Sequence, residues 1–247
     1  MSIQSWNSVQ SAELEMATSL ALVTPGEYLP RQGPDPRLLI LLHGLTGNHT
    51  QWLVRADLQE MADRHNLVIA LPDGQRSFWL NQVHGLRWGA WVGAELPALL
   101  ARRLRLSPDR PLIGGLSMGG YGALRAAFDY PRTFAGAFSL SGTLDVTEPA
   151  FRGRHPDLYQ IGFGSAEAAR PEDDLVARAA GSAELPPVFA SCGTGDRLLD
   201  QNRRFAEAMG RSGHRVEYRE GPGEHNFAFW THWLPVATEW TLAAASD

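Results

Sequence analysis

Short apolar segments alternate with amphipathic stretches along this chain, and this alternation constrains the fold more than any other feature. Arg37–His43 (RLLILLH) and Leu67–Leu71 (LVIAL) are apolar on both faces, which is typical of central strands covered by helices on both sides. Leu14–Leu22 alternates instead and predicts a half-exposed strand near a sheet edge. Further strands are predicted at Pro111–Gly115, Phe134–Leu140, Val188–Cys192 and Arg215–Arg219.

Helix-like stretches fill the intervals between these strands. Strand and helix alternate throughout, which predicts an α/β fold with a doubly wound, mostly parallel sheet and helices on both faces. The binding crevice of such a sheet lies at the carboxyl ends of its strands, so functional residues are expected on the loops there. The predicted helices are Gln51–His65, capped by Thr50 or Asn48, and Glu95–Leu106, Gly120–Asp129 and Asp200–Arg211.

The length and composition suit one domain. With 247 residues and 44% hydrophobic content the chain can bury a sizeable core, and we expect a single domain over residues 1–247. The segment Thr143–Pro186 is rich in Pro, Gly and charge and breaks the alternation. We interpret it as a short insertion over the sheet and the active site.

Charge and cysteine content exclude several classes of function. The net charge is −5, and all 22 basic residues are Arg with no run longer than two, so the sequence predicts neither nucleic-acid nor membrane binding. The absence of Lys excludes phosphate-loop and Schiff-base chemistry. A single cysteine, Cys192, and an N-terminus without an export signal favour a cytoplasmic protein. The eight histidines lack zinc-ligand spacing, so no metal or other cofactor is expected.

One serine lies among glycines in Gly115-Leu116-Ser117-Met118-Gly119, a G-x-S-x-G pattern between a predicted strand and a predicted helix. This setting is typical of a nucleophile elbow, which holds its serine in a strained conformation. Gly115 and Gly119 lack the side chains that would collide where strand and helix meet. We therefore predict that Ser117 is a nucleophile. The alternative is a glycine-rich turn capped by serine.

A nucleophilic serine needs a histidine base and a carboxylate that orients it. On this type of fold the acid and then the histidine follow the serine along the chain. Asp196 follows the strand Val188–Cys192 and His225 follows Arg215–Arg219, so both are predicted at carboxyl strand ends. Asp200 is the rival acid, but it more naturally begins the next helix.

Two backbone amides are predicted to stabilise a developing oxyanion. One is the Met118 N–H, directly after the nucleophile, and the other is the Leu45 N–H, in the loop that follows His43. His43 ends a buried strand, so we interpret it as a structural residue that holds this loop. His214 and His232 are also interpreted as structural.

Several aromatic residues could fill the core or line a substrate pocket. Trp79, Trp91 and Phe227 are the pocket candidates, because they are predicted on loops at the carboxyl ends of the strands. Trp88 and Trp230 are expected in the core. Cys192 is expected to end a buried strand as a small hydrophobic residue.

Taken together, these motifs resemble the esterase D-like branch of the α/β-hydrolases, which includes tributyrin-type carboxylesterases, S-formylglutathione hydrolases and feruloyl esterases. The resemblance implies a serine hydrolase acting on esters, with the triad Ser117, Asp196 and His225. It rests on LLHGLTGNHTQW (Leu41–Trp52), LPDGQRSFW (Leu71–Trp79), ELP (Glu95–Pro97), GLSMGGYGAL (Gly115–Leu124), CGTGD (Cys192–Asp196) and PGEHNFAFW (Pro222–Trp230).

We therefore predict a serine carboxylesterase that acts on a small-molecule ester with a short acyl group. The insertion Thr143–Pro186 is too short and too polar for a long lipase-like lid. One alternative is an S-formylglutathione thioester hydrolase, although Tyr121 stands where those enzymes usually carry histidine. The other is a noncatalytic module that binds a ligand or a protein. The oligomeric state stays open, and a homo-oligomer is compatible with the sequence.

Overall fold

A mostly parallel sheet of eight strands forms the centre of the computed structural model, which describes residues 2–26, 33–164, 170–181 and 184–246. The strands are β1 (Ser2–Ser11), β2 (Met16–Thr24), β3 (Arg37–Leu42), β4 (Leu67–Pro72), β5 (Leu112–Leu116), β6 (Gly136–Leu140), β7 (Val188–Gly193) and β8 (Val216–Gly221). Their order in the sheet is β1-β2-β4-β3-β5-β6-β7-β8. Strand β2 runs antiparallel to β1 and β4, and all other neighbours are parallel. The predicted doubly wound sheet is confirmed.

Helices cover both faces of the sheet. They are α1 (Leu58–His65), α2 (Trp88–Ala90), α3 (Leu96–Arg103), α4 (Met118–Asp129), α5 (Pro149–Arg154), α6 (Pro156–Phe163), α7 (Leu175–Ala179), α8 (Leu199–Arg211) and α9 (Phe227–Ala244). A π-helical turn, Trp91–Glu95, joins α2 to α3.

Side chains of the central strands alternate between two hydrophobic layers. In β3, Leu38, Ile40 and Leu42 face the layer that includes α3, α4 and α8, whereas Leu39 and Leu41 face the layer that includes α1 and α9. All five side chains are buried. This two-sided burial explains why the strand is apolar at every position after Arg37.

The edge strand β1 has no apolar signature in the sequence. Most of its residues are exposed, Ser8 adopts a positive φ of 60°, and the pairing with β2 shifts register between Trp6 and Val9. Such a bulge disrupts the two-residue alternation on which strand prediction depends. The strand predicted at Leu14–Leu22 corresponds to β2, which is the second strand of the sheet and not its edge.

Two predicted helix boundaries are wrong. Helix α1 begins after Asp57, whose carboxylate accepts a hydrogen bond from the Glu60 N–H at 3.0 Å, so the predicted helix Gln51–His65 loses its first half. Asn48 accepts from the Thr50 N–H in a local turn instead of capping a helix. The helix predicted to begin at Glu95 begins earlier, in α2, and continues through the π-helical turn.

The segment predicted as an insertion is attached to α4 by a buried ion pair. Asp173 is fully buried, and its carboxylate accepts hydrogen bonds from Arg125 at 2.5 Å and from Arg170 at 2.8 Å. The Tyr121 hydroxyl donates to the Asp173 carbonyl at 3.0 Å. Because α4 directly follows Ser117, these contacts fix the insertion against the helix at the predicted nucleophile. Residues 165–169 and 182–183 of this segment lie outside the described residues.

Within the described ranges, every helix is too short or too polar to cross a membrane.

Replacing Asp173 by Asn should lower the free energy of unfolding by about 3 kcal/mol, because the amide leaves the buried Arg125 charge without one of its two carboxylates. Asp129, 2.7 Å from Arg125, keeps the loss at the low end of the usual range. Urea denaturation measures the change. The control is Asp157→Asn, which removes an exposed pair with Arg76 at 3.7 Å and should cost less than about 1 kcal/mol. If the two variants lost the same free energy of unfolding, the buried ion pair would contribute no more to stability than the exposed one, and the prediction would be wrong.

Candidate active site

Ser117 lies at the sharp turn between β5 and α4 and has a strained backbone. Its φ of 53° and ψ of −117° are rare for a residue with a side chain and cost on the order of 1–3 kcal/mol. Three hydrogen bonds hold the turn: the Ser117 N–H donates to Leu140 O at 2.9 Å, and Ser117 O accepts from Tyr121 N–H at 3.1 Å and Thr143 N–H at 3.3 Å. The Ser117 backbone is therefore held by β6 through Leu140, by α4 through Tyr121, and by the loop after β6 through Thr143.

Glycines make this turn sterically accessible. A Cβ at Gly115 would lie 2.5 Å from Gly119 O, and a Cβ at Gly119 would lie 2.5 Å from Leu42 O and 2.7 Å from His43 O. These contacts are with backbone atoms, which cannot rotate away as a flexible side chain could. The elbow thus requires glycine at both positions, as the G-x-S-x-G pattern predicts.

The side chains of Ser117, His225 and Asp196 form a continuous chain of hydrogen bonds. The Ser117 hydroxyl lies 2.9 Å from His225 Nε2, and His225 Nδ1 lies 2.8 Å from Asp196 Oδ2. In the tautomer that suits both contacts, Nδ1–H donates to the carboxylate and Nε2 accepts from the serine hydroxyl. The structure brings the three residues of the predicted triad into contact across 108 positions of sequence between serine and histidine.

The loops that carry Asp196 and His225 are bonded to each other through their backbones. Gly195 N–H donates to Gly223 O at 2.9 Å, and Thr194 N–H donates to Gly221 O at 2.9 Å. Gly223 adopts a φ of 149°, and a Cβ there would lie 2.7 Å from the Phe229 ring. The backbone contacts between the loops therefore set the distance between Asp196 and His225.

Asp196 is buried and acts only as an acceptor. Its second carboxylate oxygen accepts from the Leu198 N–H at 2.9 Å. Burial alone would raise the pKa of the Asp196 carboxyl, but the hydrogen bonds from His225 and Leu198 hold the pKa below its ordinary value. The group is therefore ionised at neutral pH. Asp200 lies in the first turn of α8 with its side chain 85% exposed, next to Arg203 rather than His225.

Helix α9 and its aromatic residues fix the orientation of His225. Asn226 caps the helix, since its side-chain oxygen accepts from the Phe229 N–H at 3.2 Å. The Trp230 ring meets the imidazole edge to face, with centroids 5.0 Å apart. The imidazole is thus packed on one side and bonded at both nitrogens.

The two amides predicted for an oxyanion, Leu45 N–H and Met118 N–H, belong to residues that line the same cavity as Ser117. Within the described ranges, neither N–H donates a hydrogen bond to another protein group. Met118 is the first residue of α4, where the helix dipole also favours negative charge. Both amides are available to a negatively charged oxygen.

His43 holds the loop that carries Leu45. Its Nδ1–H donates to Gly44 O at 2.8 Å, and its Nε2 accepts from the Gly74 N–H at 3.0 Å. Both ring nitrogens are thus used in structure. His214 Nε2 lies 3.0 Å from Gly181 O, and His232 lies within α9, so neither occupies the cavity.

A cavity of about 700 Å³ opens above Ser117 and His225. The aromatic residues at its wall are Phe78, Phe151, Phe227 and Trp230. The segment predicted as an insertion contributes part of the wall, namely Thr143, Glu148, Ala150, Phe151, Arg154 and His155.

The predicted pocket residues need correction. Phe227 lines the cavity, but Trp79 and Trp91 are fully buried in the core and do not. Trp79 packs against α4, where a Cβ at Gly122 would lie 2.4 Å from its ring, and its indole N–H donates to His43 O at 3.4 Å. Trp230 is buried in the core, as expected, and it also lines the cavity. Its place in the PGEHNFAFW segment beside His225 was the available signal.

The described residues contain no group of three or more His, Cys, Asp or Glu side chains arranged to hold a metal ion. The chemistry available here is proton transfer from serine to histidine with electrostatic support from the buried carboxylate.

Known proteins are similar to this chain in sequence and in fold. A family model described as Putative esterase matches residues 11–241. An acetyl esterase of Caldicellulosiruptor saccharolyticus is 32% identical over 226 residues, which cover 85% of each chain. FphF, a fluorophosphonate-binding serine hydrolase of Staphylococcus aureus, superposes with a TM-score of 0.85 at 23% identity, covering 100% of this chain and 99% of that one. An S-formylglutathione hydrolase of Agrobacterium tumefaciens gives 0.84 at 20% identity, covering 99% and 94%. The predicted α/β-hydrolase fold is confirmed.

The hydrogen bonds distinguish the two candidate acids. Asp196→Asn should slow the acylation of Ser117 by 4-nitrophenyl acetate by on the order of 10⁴, because an amide favours the wrong histidine tautomer and cannot stabilise the imidazolium. Asp200→Asn should leave the rate nearly unchanged, since its side chain points to solvent. Stopped-flow rates for both variants, with circular dichroism to confirm folding, measure the difference. A slow Asp200→Asn variant beside a fast Asp196→Asn variant would show that the acid is misassigned.

Proposed function

Because this chain belongs to the Putative esterase family, we propose that it is a serine carboxylesterase that hydrolyses short-chain acyl esters through an acyl-enzyme. The observation that carries the proposal is the chain of hydrogen bonds from Asp196 through His225 to Ser117 at the floor of an open cavity. Family membership supports ester hydrolysis, and the geometry supports the assignment of roles.

In the first step, Ser117 Oγ attacks the ester carbonyl carbon while its proton passes to His225 Nε2. The ionised Asp196 carboxylate stabilises the imidazolium that forms and keeps Nδ1–H directed toward itself. The strained elbow keeps the hydroxyl at the cavity surface, so little reorganisation precedes the attack.

The carbonyl oxygen gains negative charge in this step. In the proposed mechanism the N–H groups of Leu45 and Met118 donate to it, and each such donor contributes about 2.7–4 kcal/mol in the transition state. The His43 contacts that hold the Leu45 loop then serve catalysis indirectly, because they fix one donor before the charge develops.

Collapse of the tetrahedral intermediate breaks the bond to the alcohol, which takes the proton from His225 Nε2 and leaves. Water then attacks the acyl-enzyme, gives its proton to the same nitrogen, and releases the carboxylic acid and free Ser117. These steps use only groups of the chain and water, so the proposal includes no metal and no cofactor. A cytoplasmic location also belongs to the proposal, since one cysteine cannot form a disulfide within the chain.

The direct test is a fluorophosphonate probe, which reacts with activated serines. Wild-type protein should be labelled at Ser117, as located by peptide mass spectrometry, and Ser117→Ala should not be labelled. Folded wild-type protein that resists the probe would exclude the serine mechanism and favour the noncatalytic binding module. A kcat/KM for S-formylglutathione well above that for 4-nitrophenyl acetate would favour the thioester hydrolase instead.

We expect a preference for short acyl groups. The C. saccharolyticus relative named an acetyl esterase supports this, and the α5 segment beside the cavity contains no buried residue that would form an apolar lid. The kcat/KM for 4-nitrophenyl esters should therefore fall from acetate or butyrate to palmitate. A steady rise with chain length, or a requirement for a lipid interface, would contradict the short-acyl assignment.

A further inference from the structure

Three arginines line the cavity without an acidic partner. Arg55 lies in the turns before α1, Arg154 is the last residue of α5, and Arg197 directly follows Asp196. Throughout the described ranges, none of the three guanidinium groups forms an ion pair or donates a hydrogen bond to the protein. Arg55 instead packs over the Phe227 ring, 5.4 Å from its centroid.

Several arginines elsewhere in the chain have carboxylate partners. Arg203 donates two hydrogen bonds of 2.7 Å to Glu220, and Arg178 donates to Asp129 at 2.7 Å. Single unpaired arginines on a surface are ordinary solvated groups. The three at the cavity are exposed as well, but they differ from these because they come from three separate chain segments and line the same cavity as Ser117.

The carboxylate on the cavity wall does not neutralise them. Among the described residues that line the cavity, Glu148 is the acidic one. Its two oxygens accept from Arg204 at 2.8 Å and from the Gln201 amide at 3.4 Å, and Arg204 lies outside the lining. The charge of Glu148 is therefore already paired, and the wall keeps an excess of positive charge.

His155, also on the wall, responds to this positive charge. Partial burial is the main cause that lowers the pKa of its imidazole, and the nearby guanidinium groups of Arg76, Arg154 and Arg197 lower it further. The nearby Asp157 carboxylate acts in the opposite direction and raises this pKa. The excess occurs in a chain whose net charge is −5, so it is a local feature and not a consequence of a basic protein.

We propose that the ester substrate carries a carboxylate, which Arg55, Arg154 and Arg197 bind at the wall of the cavity. This inference rests on the proposed esterase function and names its substrate class. Guanidinium groups pair with carboxylates through two parallel N–H donors, and a cleft of one charge sign concentrates ligands of the opposite sign. The carboxylate belongs either to the acyl half or to the alcohol half of the ester.

Paired substrates distinguish these two positions. The alcohol-side pair is 3-acetoxybenzoate and 3-acetoxybenzamide, and the acyl-side pair is mono-4-nitrophenyl adipate and its carboxamide counterpart. In each pair the shape is similar and only the charge differs. The readout is the preference ratio, which is the kcat/KM of the carboxylate divided by that of the amide. The substrate pair whose ratio depends on the three arginines shows which half of the ester carries the carboxylate.

The test variant is the triple substitution Arg55→Gln, Arg154→Gln, Arg197→Gln. The preference ratio of the wild type should exceed that of this variant about tenfold for one substrate pair, with the change mainly in KM, as expected for charge-steered binding. Comparing ratios between proteins cancels the intrinsic reactivities of the two esters.

The matched control removes the same charge elsewhere. Arg102, Arg103 and Arg132 are exposed, lie outside the cavity lining, and also lack acidic partners in the described part of the chain. Changing all three to Gln should leave the preference ratio unchanged. A salt series on the wild type gives an independent measurement, because the preference should shrink as the Debye length falls from about 30 Å at 0.01 M to about 10 Å at 0.1 M salt.

Each outcome decides one of the two proposals. Hydrolysis of neutral esters with equal preference ratios in wild type and test variant overturns the carboxylate inference and leaves the esterase proposal intact. No hydrolysis and no fluorophosphonate labelling overturns the esterase proposal. In that case calorimetric binding of 3-acetoxybenzoate and 3-acetoxybenzamide to the Ser117→Ala variant still tests the inference. Equal affinities would reject it, and tighter carboxylate binding that is lost on adding the three Arg→Gln changes would support it.

Discussion

The strained backbone of Ser117 is the constraint on which the rest of the site depends. A positive φ at a residue with a side chain persists only where the surrounding structure fixes it. Here the close approach of the Gly115–Gly119 backbone to Leu42 and His43 allows strand, loop and helix to meet within one turn. The same contact places the loop after β3 beside Met118 at the start of α4. The proposed nucleophile and the two proposed oxyanion donors thus share one packing arrangement.

The proposed acid and base, Asp196 and His225, depend on a second arrangement of the same type. Strands β7 and β8 are parallel neighbours, so their carboxyl ends bring the Asp196 and His225 loops together. The hydrogen bond from Gly195 to Gly223 then sets their separation without using either functional side chain. Burial strengthens the result, because a carboxylate removed from water holds the imidazole more firmly than a solvated one would. Sheet topology places these groups near each other, and loop backbone contacts set their final distances.

The sequence could predict those parts of the molecule that steric and topological rules determine. The elbow, the order of serine, acid and histidine, and the uniformly apolar strands each follow from one local pattern combined with the parallel sheet. The boundary of α1 depended on the choice between Asn48 and Asp57, which are both good caps, and only the packing of the intervening turns distinguishes them. Strand β1 has few apolar residues, and Trp6 and Val9, which pack against the core, lie on either side of the bulge, so no two-residue alternation marks the strand.

The walls of the cavity were harder to predict, and the reason lies in the backbone. Phe78 and Trp79 are adjacent and both are buried in the core, yet Phe78 also lines the cavity and Trp79 does not, and both adopt a left-handed φ of about 55°. Neither the two-residue period of a strand nor the 3.6-residue period of a helix applies to such a turn. Arg55, Arg154 and Arg197 pose the same difficulty, because they are far apart in sequence and come together only in the folded chain. Functional residues that lie within one turn can therefore be predicted from the sequence. The charge of a cavity wall that is built from three separate segments can be determined only from the structure.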